Sequence, residues 1–156
     1  VTKVKTETDL APAIAKAMEE SDEVMIEKLM VGTEITCGCY KRKDGEVVTF
    51  PITGVVTTQE FFDYDAKYNG QVDEITPARI SDKLTQRVQK LTSAIYDILG
   101  CYGIIRIDYI ITEGDKINLL EINTTPGMTA TSFIPQQIRA AGLDIKDVMT
   151  DIIEGV

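Results

Sequence analysis

The sequence predicts an α+β fold, a mainly antiparallel sheet packed with helices. Three observations carry that prediction: two pairs of apolar strand patterns joined by Gly-containing turns, one long stretch with apolar residues at helical spacing, and two further helix signals in the tail. The 156 residues are 44% hydrophobic, enough for one domain with its own core.

Taken in order, VTKVKT opens on an alternating, strand-like pattern. Asp9 then caps a helix carrying Leu10, Ile14, Ala17 and Met18, with Pro12 in the tolerant first turn and an end near Ser21 and Asp22. Glu23 to Met30 alternates as a strand does. Ile35 to Tyr40 is expected to pair with Glu46 to Ile52 across Lys43-Asp44-Gly45-Glu46, because Asp-Gly suits a two-residue hairpin. Thr57 to Thr76 has no sustained period and reads as a long loop. Ile80, Leu84, Val88, Leu91, Ile95 and Ile98 mark a long amphipathic helix that Gly100 terminates in a left-handed conformation. Ile104 to Ile111 and Ile117 to Asn123 are two strands. If Gly114-Asp115 makes a two-residue turn between them, Asp108 lies opposite Glu121 and Arg106 opposite Asn123, and period two puts all four on one face. The opposite face is expected to be core. A helix near Pro135 to Ala141 ends at Gly142, and another starts at Asp144 with Ile145, Val148, Met149 and Ile152 on one side.

The net charge of −9 and the absence of a basic run longer than Lys41-Arg42-Lys43 argue against a nucleic-acid partner. No apolar run approaches the roughly 20 residues of a membrane span and no signal peptide opens the chain, so a cytoplasmic location without membrane partners is expected. Cys37, Cys39 and Cys101 are odd in number and have no histidine to complete a zinc set, so free core thiols are expected. Without histidine, Ser-His and Cys-His chemistry is excluded, which leaves carboxylates, Lys, Arg, backbone dipoles or a metal. The chain begins at Val1 rather than Met and enters directly on a strand-like pattern, which suggests a piece of a longer protein.

Directly opposed carboxylates have Cβ atoms about 4.5–5.5 Å apart and repel unless a cation lies between them. Asp108 and Glu121, with the amide of Asn123, form an oxygen-only set suited to Mg²⁺ or Mn²⁺, and Mg²⁺ combines such carboxylates with nucleotide phosphate oxygens. A solvated sheet face in which Arg106 neutralises Asp108 and Glu121 accounts for the same pattern. Beyond the strand, Thr124-Thr125-Pro126-Gly127-Met128-Thr129 turns sharply, and Gly127 leaves its N–H open to a ligand. That N–H beside Arg106 suits an oxyanion, while Ser132 either caps the following helix or holds a substrate carboxylate. Taken singly, each of these residues is better read as part of a Pro-Gly turn or of a Ser N-cap.

Together the residues resemble the D-alanine–D-alanine ligases, a branch of the ATP-grasp ligases. Three stretches carry the resemblance: Glu27-Lys28-Leu29-Met30 with Gly32-Thr33-Glu34, Phe62-Asp63-Tyr64-Asp65-Ala66-Lys67-Tyr68, and Gly103 to Asp108 with Glu121-Ile122-Asn123-Thr124-Thr125-Pro126-Gly127-Met128-Thr129. The resemblance implies an ATP-grasp C-terminal lobe in which Glu27, Lys28, Leu29 and Met30 line the adenine pocket and Glu34 takes the ribose hydroxyls. It makes Lys67 a phosphate contact and Tyr68 a residue that closes over the second substrate. Asp108, Glu121 and Asn123 become ligands of two Mg²⁺ (or Mn²⁺) ions, Arg106 and the N–H of Gly127 oxyanion stabilisers, and Ser132 the partner of the second D-alanine's carboxylate. The implied reaction is ATP-dependent ligation of two D-alanines through an acyl phosphate, a step in peptidoglycan precursor synthesis, by an enzyme that is usually a homodimer.

Such enzymes also carry an N-terminal domain and a lobe with a phosphate-binding loop, neither of which precedes Val1. Residues 1–156 therefore read as the C-terminal part of the ATP-grasp domain, inactive alone. Two alternatives stand beside this reading: another ATP-grasp carboxylate–amine ligase, including one that takes D-lactate or D-serine, and a noncatalytic nucleotide-binding domain.

Overall fold

Strand β1 (Thr33–Lys41) is the centre of the sheet, because its apolar and small side chains suit burial on both faces. The computed structural model describes residues 1–57 and 72–155, which form two compact units, Val1–Val31 and Gly32–Val156. The centre of the expected Thr57–Thr76 loop, with Lys67 and Tyr68, lies outside the described residues.

In the first unit a 3₁₀ turn (Glu7–Asp9) runs into helix α1 (Leu10–Ala17). Asp9 does not cap this helix from outside: its own backbone is helical, and its carboxylate reaches back to the N–H of Thr6 at 3.1 Å. The cap therefore lies one 3₁₀ turn earlier than expected, at Thr6. The strand expected over Glu23 to Met30 is not formed, nor is one over VTKVKT. Alternation makes a strand only beside a partner with free backbone groups, and no residue of this unit is in a strand.

Among the described residues the second unit carries a six-stranded antiparallel sheet in the order β4 (Val72–Ile75), β3 (Thr53–Thr57), β1, β5 (Ile105–Thr112) and β6 (Lys116–Asn123), with β2 (Val47–Thr49) also on β1. β2 (Val47–Thr49) pairs Cys39 with Thr49 and Lys41 with Val47, and Arg42 N–H bonds to Glu46 C=O at 2.8 Å. The connection is thus Lys43-Asp44-Gly45, one residue longer than expected, and Gly45 takes φ +90° to close it. β2 also stops short of Ile52, since Pro51 has no N–H for the ladder. The chain re-enters as β3 (Thr53–Thr57), which pairs with β1 through Glu34↔Val55 and with β4 (Val72–Ile75) through Val55↔Glu74. Both ends of the expected loop are therefore strand, obscured in the sequence by Gly54 and by the acids of β4.

Helix α2 (Asp82–Ile98) covers one face, starting at Ser81, whose Oγ accepts the N–H of Leu84, and ending before Gly100 at φ +59°. The buried line is Leu84, Val88, Thr92 and Tyr96, with Ile80 and Ile95 alongside. Leu91 and Ile98 from the expected stripe turn outward, Ile98 being 81% exposed. Thr92 Oγ1 and the Tyr109 hydroxyl satisfy each other at 2.7 Å. Cys37 and Cys39 lie in this core as free thiols, as expected. Burial pushes the Cys37 thiol up to about 12 and Cys39 up as well, so both are protonated and unreactive at neutral pH.

Helices α3 (Phe133–Ala140) and α4 (Ile145–Glu154) cover one end of the other face. Ile134, Ile138 and Val148 pack there on Tyr40, Phe50 and Ile104. Gly38 makes this possible: a Cβ there would stand 2.4 Å from Ile134 Cδ1 and 2.7 Å from Gln137 Oε1. Gln137 itself fills the gap between β2 and β3. Its Oε1 accepts the Gly38 N–H at 2.9 Å and its Nε2 donates to Thr36 C=O at 3.0 Å and Thr53 Oγ1 at 3.1 Å. A side-chain amide thus stands in for the missing strand backbone.

Candidate active site

Beyond α3, the same face carries polar groups. β5 (Ile105–Thr112) and β6 (Lys116–Asn123) pair Asp108 with Glu121 and Arg106 with Asn123, as expected. The turn is nevertheless not the expected one. The ladder starts at Thr112↔Lys116, with Gly114 at φ +75° and Asp115 at +56°, so the connection holds three residues. A bulge between Asp108↔Glu121 and Tyr109↔Leu119 absorbs Leu120 and returns the register to the expected pairs.

On this face Arg106 clamps Asp108 two residues along the same strand, Nε to Oδ1 at 2.9 Å and one terminal nitrogen to Oδ2 at 2.8 Å. Both groups are largely shielded, with 14% and 24% of their side chains exposed. A planar fork on a carboxylate is the strongest neutralising arrangement available to that acid. Glu121, opposite Asp108, is exposed. Glu34 on β1 also reaches this neighbourhood: burial and then the negative charge of Asp108 raise its pKa. Between them Thr36 pairs with Asp108 across the ladder, only 2% exposed, and its Oγ1 has no hydrogen-bond partner among the described residues. Three acids, one arginine and an orphaned hydroxyl thus share a patch that suits a cation.

Asn123 ends β6 by accepting the Thr125 N–H on its Oδ1 at 3.1 Å, which starts the turn. Pro126 is buried and Gly127 exposed. A Cβ on Gly127 would meet Ser132 Oγ at 2.9 Å, so the two groups are neighbours and an added methyl would push that hydroxyl aside. Ser132 occupies the N-cap position of α3, yet its hydroxyl makes no cap bond and instead shares one with Thr129 Oγ1 at 2.7 Å. Of its two expected uses, the cap is not realised. Arg139 holds the loop through Ala130 C=O and Gln136 through Thr131 C=O, each at 2.8 Å. The loop returns to the polar face at Phe133, whose ring centre lies 5.3 Å from the Arg106 guanidinium carbon.

The structure therefore gathers Arg106, Asp108, Glu121, Asn123 and Glu34 on one face and places Gly127 beside Ser132. Glu27, Lys28, Leu29 and Met30 belong to the first unit, in neither helix nor strand, the first three exposed. Sequence reasoning missed Phe133, Thr129 and Gln137. Each reads in the sequence as an ordinary residue of a helix or turn, and only the fold supplies its partner. Among the described residues no three Asp, Glu, Cys or His side chains gather at one point. The expected metal set of two acids and an amide is smaller than that, and its donors are all oxygen, so the residues present fit a hard divalent cation.

The D-ala D-ala ligase C-terminus family matches residues 1–154. The chain is 80% identical over 154 residues to the D-alanine–D-alanine ligase of Bacteroides fragilis, covering 99% of this chain and 47% of that protein. Its structure resembles the VanG D-Ala:D-Ser ligase of Enterococcus faecalis at TM-score 0.82 and 31% identity, over 99% of this chain and 45% of that one. It also resembles the D-alanine–D-alanine ligase of Bacillus anthracis complexed with ATP, at TM-score 0.76 and 33% identity, over 97% and 48% of the two chains. The chain spans about half the length of the curated relatives it matches. The antiparallel sheet with its helices is the ATP-grasp C-terminal lobe, and the chain belongs to the D-alanine–D-alanine ligase C-terminal family.

Proposed function

We propose that this chain is the C-terminal part of a cytoplasmic, homodimeric D-alanine–D-alanine ligase, contributing its metal-binding and oxyanion-binding half. The observation that carries the reading is the register of β5 and β6, which opposes Asp108 to Glu121 on the exposed side of the sheet with Arg106 alongside. In this reading a carboxylate oxygen of one D-alanine attacks the γ-phosphorus of ATP and ADP leaves. The amine of a second D-alanine then attacks the acyl carbon, and phosphate departs from the tetrahedral centre.

Asp108, Glu121 and Asn123 hold two Mg²⁺ or Mn²⁺ ions. Such ions neutralise charge on the transferring phosphoryl group. Glu34 accepts from the ribose hydroxyls, Glu27 to Met30 line the adenine, Lys67 contacts phosphate and Tyr68 closes over the second substrate. Arg106 and the Gly127 N–H donate to the oxyanion of the tetrahedral centre. With Thr129 as donor in its bond to Ser132, the Ser132 proton is free for the carboxylate of the second D-alanine. The chain alone lacks turnover, because binding and positioning of ATP need a second lobe against the sheet face.

The test is D-alanine-dependent phosphate release from Mg²⁺–ATP by the full-length protein and by residues 1–156. Release by the full-length protein only, with a loss of at least about a hundredfold in Glu121→Gln, is expected. Unchanged turnover in that variant removes Glu121 from the metal site and favours a noncatalytic role for the face. The likeness to a D-Ala:D-Ser ligase favours one variation, D-serine as second substrate. Product analysis with D-alanine, D-serine and D-lactate in competition decides between them.

A further inference from the structure

Arg106 is held from two directions that make different demands on it. The edge of its guanidinium, through Nε and one terminal nitrogen, is fully engaged with both oxygens of Asp108 at 2.9 and 2.8 Å. Its central carbon lies over the Phe133 ring, 5.3 Å from the ring centre, inside the range of a cation–π contact. The edge contact would face competition in the reaction proposed above, because a divalent cation held by Asp108 would draw on the same carboxylate. Arg106 must also turn an N–H toward the oxyanion. A cation held by Asp108 would weaken the fork, which would leave that edge of Arg106 able to turn to substrate. The ring contact occupies no oxygen of Asp108 and does not depend on the fork.

We infer that Phe133 is a positioning residue for Arg106: its ring keeps the guanidinium at the sheet face while the guanidinium edge passes from Asp108 to the substrate anion. The ring is suited to this by its mounting. Phe133 is the first residue of α3, and the next turn of that helix is fixed by Ile134, fully buried, and by Gln137, whose amide is bonded into the sheet at Gly38 and Thr36. Arg106 sits on β5, which pairs with β1 at Gly38↔Arg106. Ring and guanidinium are therefore carried by two elements locked to the same residue of β1, and a shift of one relative to the other would break the Gln137 bonds. A flexible aliphatic side chain at 133 would fill similar space without attracting the cation. The inference rests on the ligase reading for the substrate anion, but the ring–guanidinium contact is measurable without turnover.

Two measurements on the full-length protein test it. In steady-state kinetics, Phe133→Leu is expected to lower kcat about three- to tenfold, the loss corresponding to a partly shielded cation–π contact, with KM for ATP within about twofold. Phe133→Tyr, which keeps the π face, is expected to restore most of kcat. Equal losses in the two variants, or none in Phe133→Leu, overturn the proposal, since either result means that keeping the aromatic ring does not keep the rate. The second measurement needs neither turnover nor a stable Phe133→Leu protein. Residues 1–156 contain no tryptophan, so Phe133→Trp adds one indole to this chain, read as a difference spectrum against the parent protein. Its emission is expected to differ between the Arg106 and Arg106→Met backgrounds and to stay at the Arg106 value when Mg²⁺ and ATP are added to saturation. Emission that moves to the Arg106→Met value on loading shows that the guanidinium leaves the ring, and emission that is the same in both backgrounds shows no contact; either overturns the proposal. A wild-type protein without D-alanine-dependent turnover instead overturns the ligase reading, and leaves the emission result to judge the ring contact alone.

Discussion

Replacing Gln137 with Leu removes a fully buried amide that stands in for sheet backbone while nearly preserving its volume. Three groups lose a partner: the Gly38 N–H, the Thr36 C=O and the Thr53 hydroxyl, at 2.9, 3.0 and 3.1 Å. Thr53 keeps its bond to Thr76 at 2.6 Å, so two backbone groups are left unpaired in an environment water does not reach. A buried orphan costs about 1–3 kcal/mol, and two of them bring the expected destabilisation to about 2–6 kcal/mol, part of which Leu offsets by packing on Ile134 and Phe50. Equilibrium urea unfolding followed by far-UV ellipticity measures this directly, as a lower midpoint at unchanged slope. Gln137→Glu gives a second, opposite handle. Protonated, it can accept from Gly38 and donate to Thr36 as glutamine does, whereas ionised it cannot donate and buries a charge. Its folded-state pKa is therefore raised, and its stability relative to wild type is highest in acid and is lost as pH rises through that value. A Gln137→Leu protein within about 0.5 kcal/mol of wild type would refute the view that this amide completes the sheet.

Three further outcomes follow from the site. Glu34 is a carboxyl whose pKa is raised from 4.5 by burial and by Asp108, so the fold favours its protonated form; the penalty is absent below 4.5 and develops as pH rises through the raised value. Glu34→Gln is expected to raise Tm at neutral pH and to leave it unchanged near pH ~3.5, as differential scanning calorimetry at the two pH values would show. Thr129→Val removes the 2.7 Å bond to the Ser132 hydroxyl and is expected to raise KM for the second D-alanine about three- to tenfold, with KM for ATP unaltered, in steady-state assays of the full-length protein. Gly127→Ala places a Cβ at 2.9 Å from Ser132 Oγ, and displacement of that hydroxyl together with the oxyanion N–H is expected to lower kcat/KM for D-alanine about a hundredfold while the unfolding midpoint changes little.

Legibility in the sequence followed how local each determinant is. Helix α2 and its Gly100 terminus were readable because both depend on residues within one helix. Its buried line was misread in part, since Thr92 and Tyr96 look polar until Tyr109 and Gly103 C=O are seen to satisfy their hydroxyls, at 2.7 and 2.9 Å. The strand expected at Glu23 to Met30 failed for the opposite reason, as alternation says nothing about whether a partner strand exists. β3 and β4 were lost because their pairing runs across the segment between them, and a four-residue strand with two acids carries almost no signal of its own. Gln137 is the extreme case. A polar residue in an amphipathic helix is normally a solvent contact, and only the break that Pro51 makes between β2 and β3 turns it into part of the sheet.

The acidic pair was expected at the right place through two departures that cancel, and the cancellation has a physical meaning. With a three-residue turn and an unbroken ladder, Asp108 would oppose Leu120, and Glu121 would oppose Ile107. Ile107 is fully buried under α2, so Glu121 and then Asn123 would point into an apolar core. The bulge at Leu120 turns the strand over by one residue. Ile117 and Leu119, opposite Ile111 and Tyr109, stay on the α2 side; past the bulge Ile122 takes that side opposite Ile107, and Glu121 and Asn123 come out opposite Asp108 and Arg106. Burying a carboxylate without a partner costs far more than one unpaired ladder position, so the chain LLEIN admits no other arrangement over Arg106-Ile107-Asp108 once the turn has three residues. Two adjacent leucines are what make this affordable in sequence terms: Leu119 can face α2 and Leu120 can be left out of the ladder, each about half exposed, with no polar group stranded. The bulge is therefore what places an acid opposite an acid, and the repulsion it imposes is the reason the face needs Arg106 and suits a divalent cation.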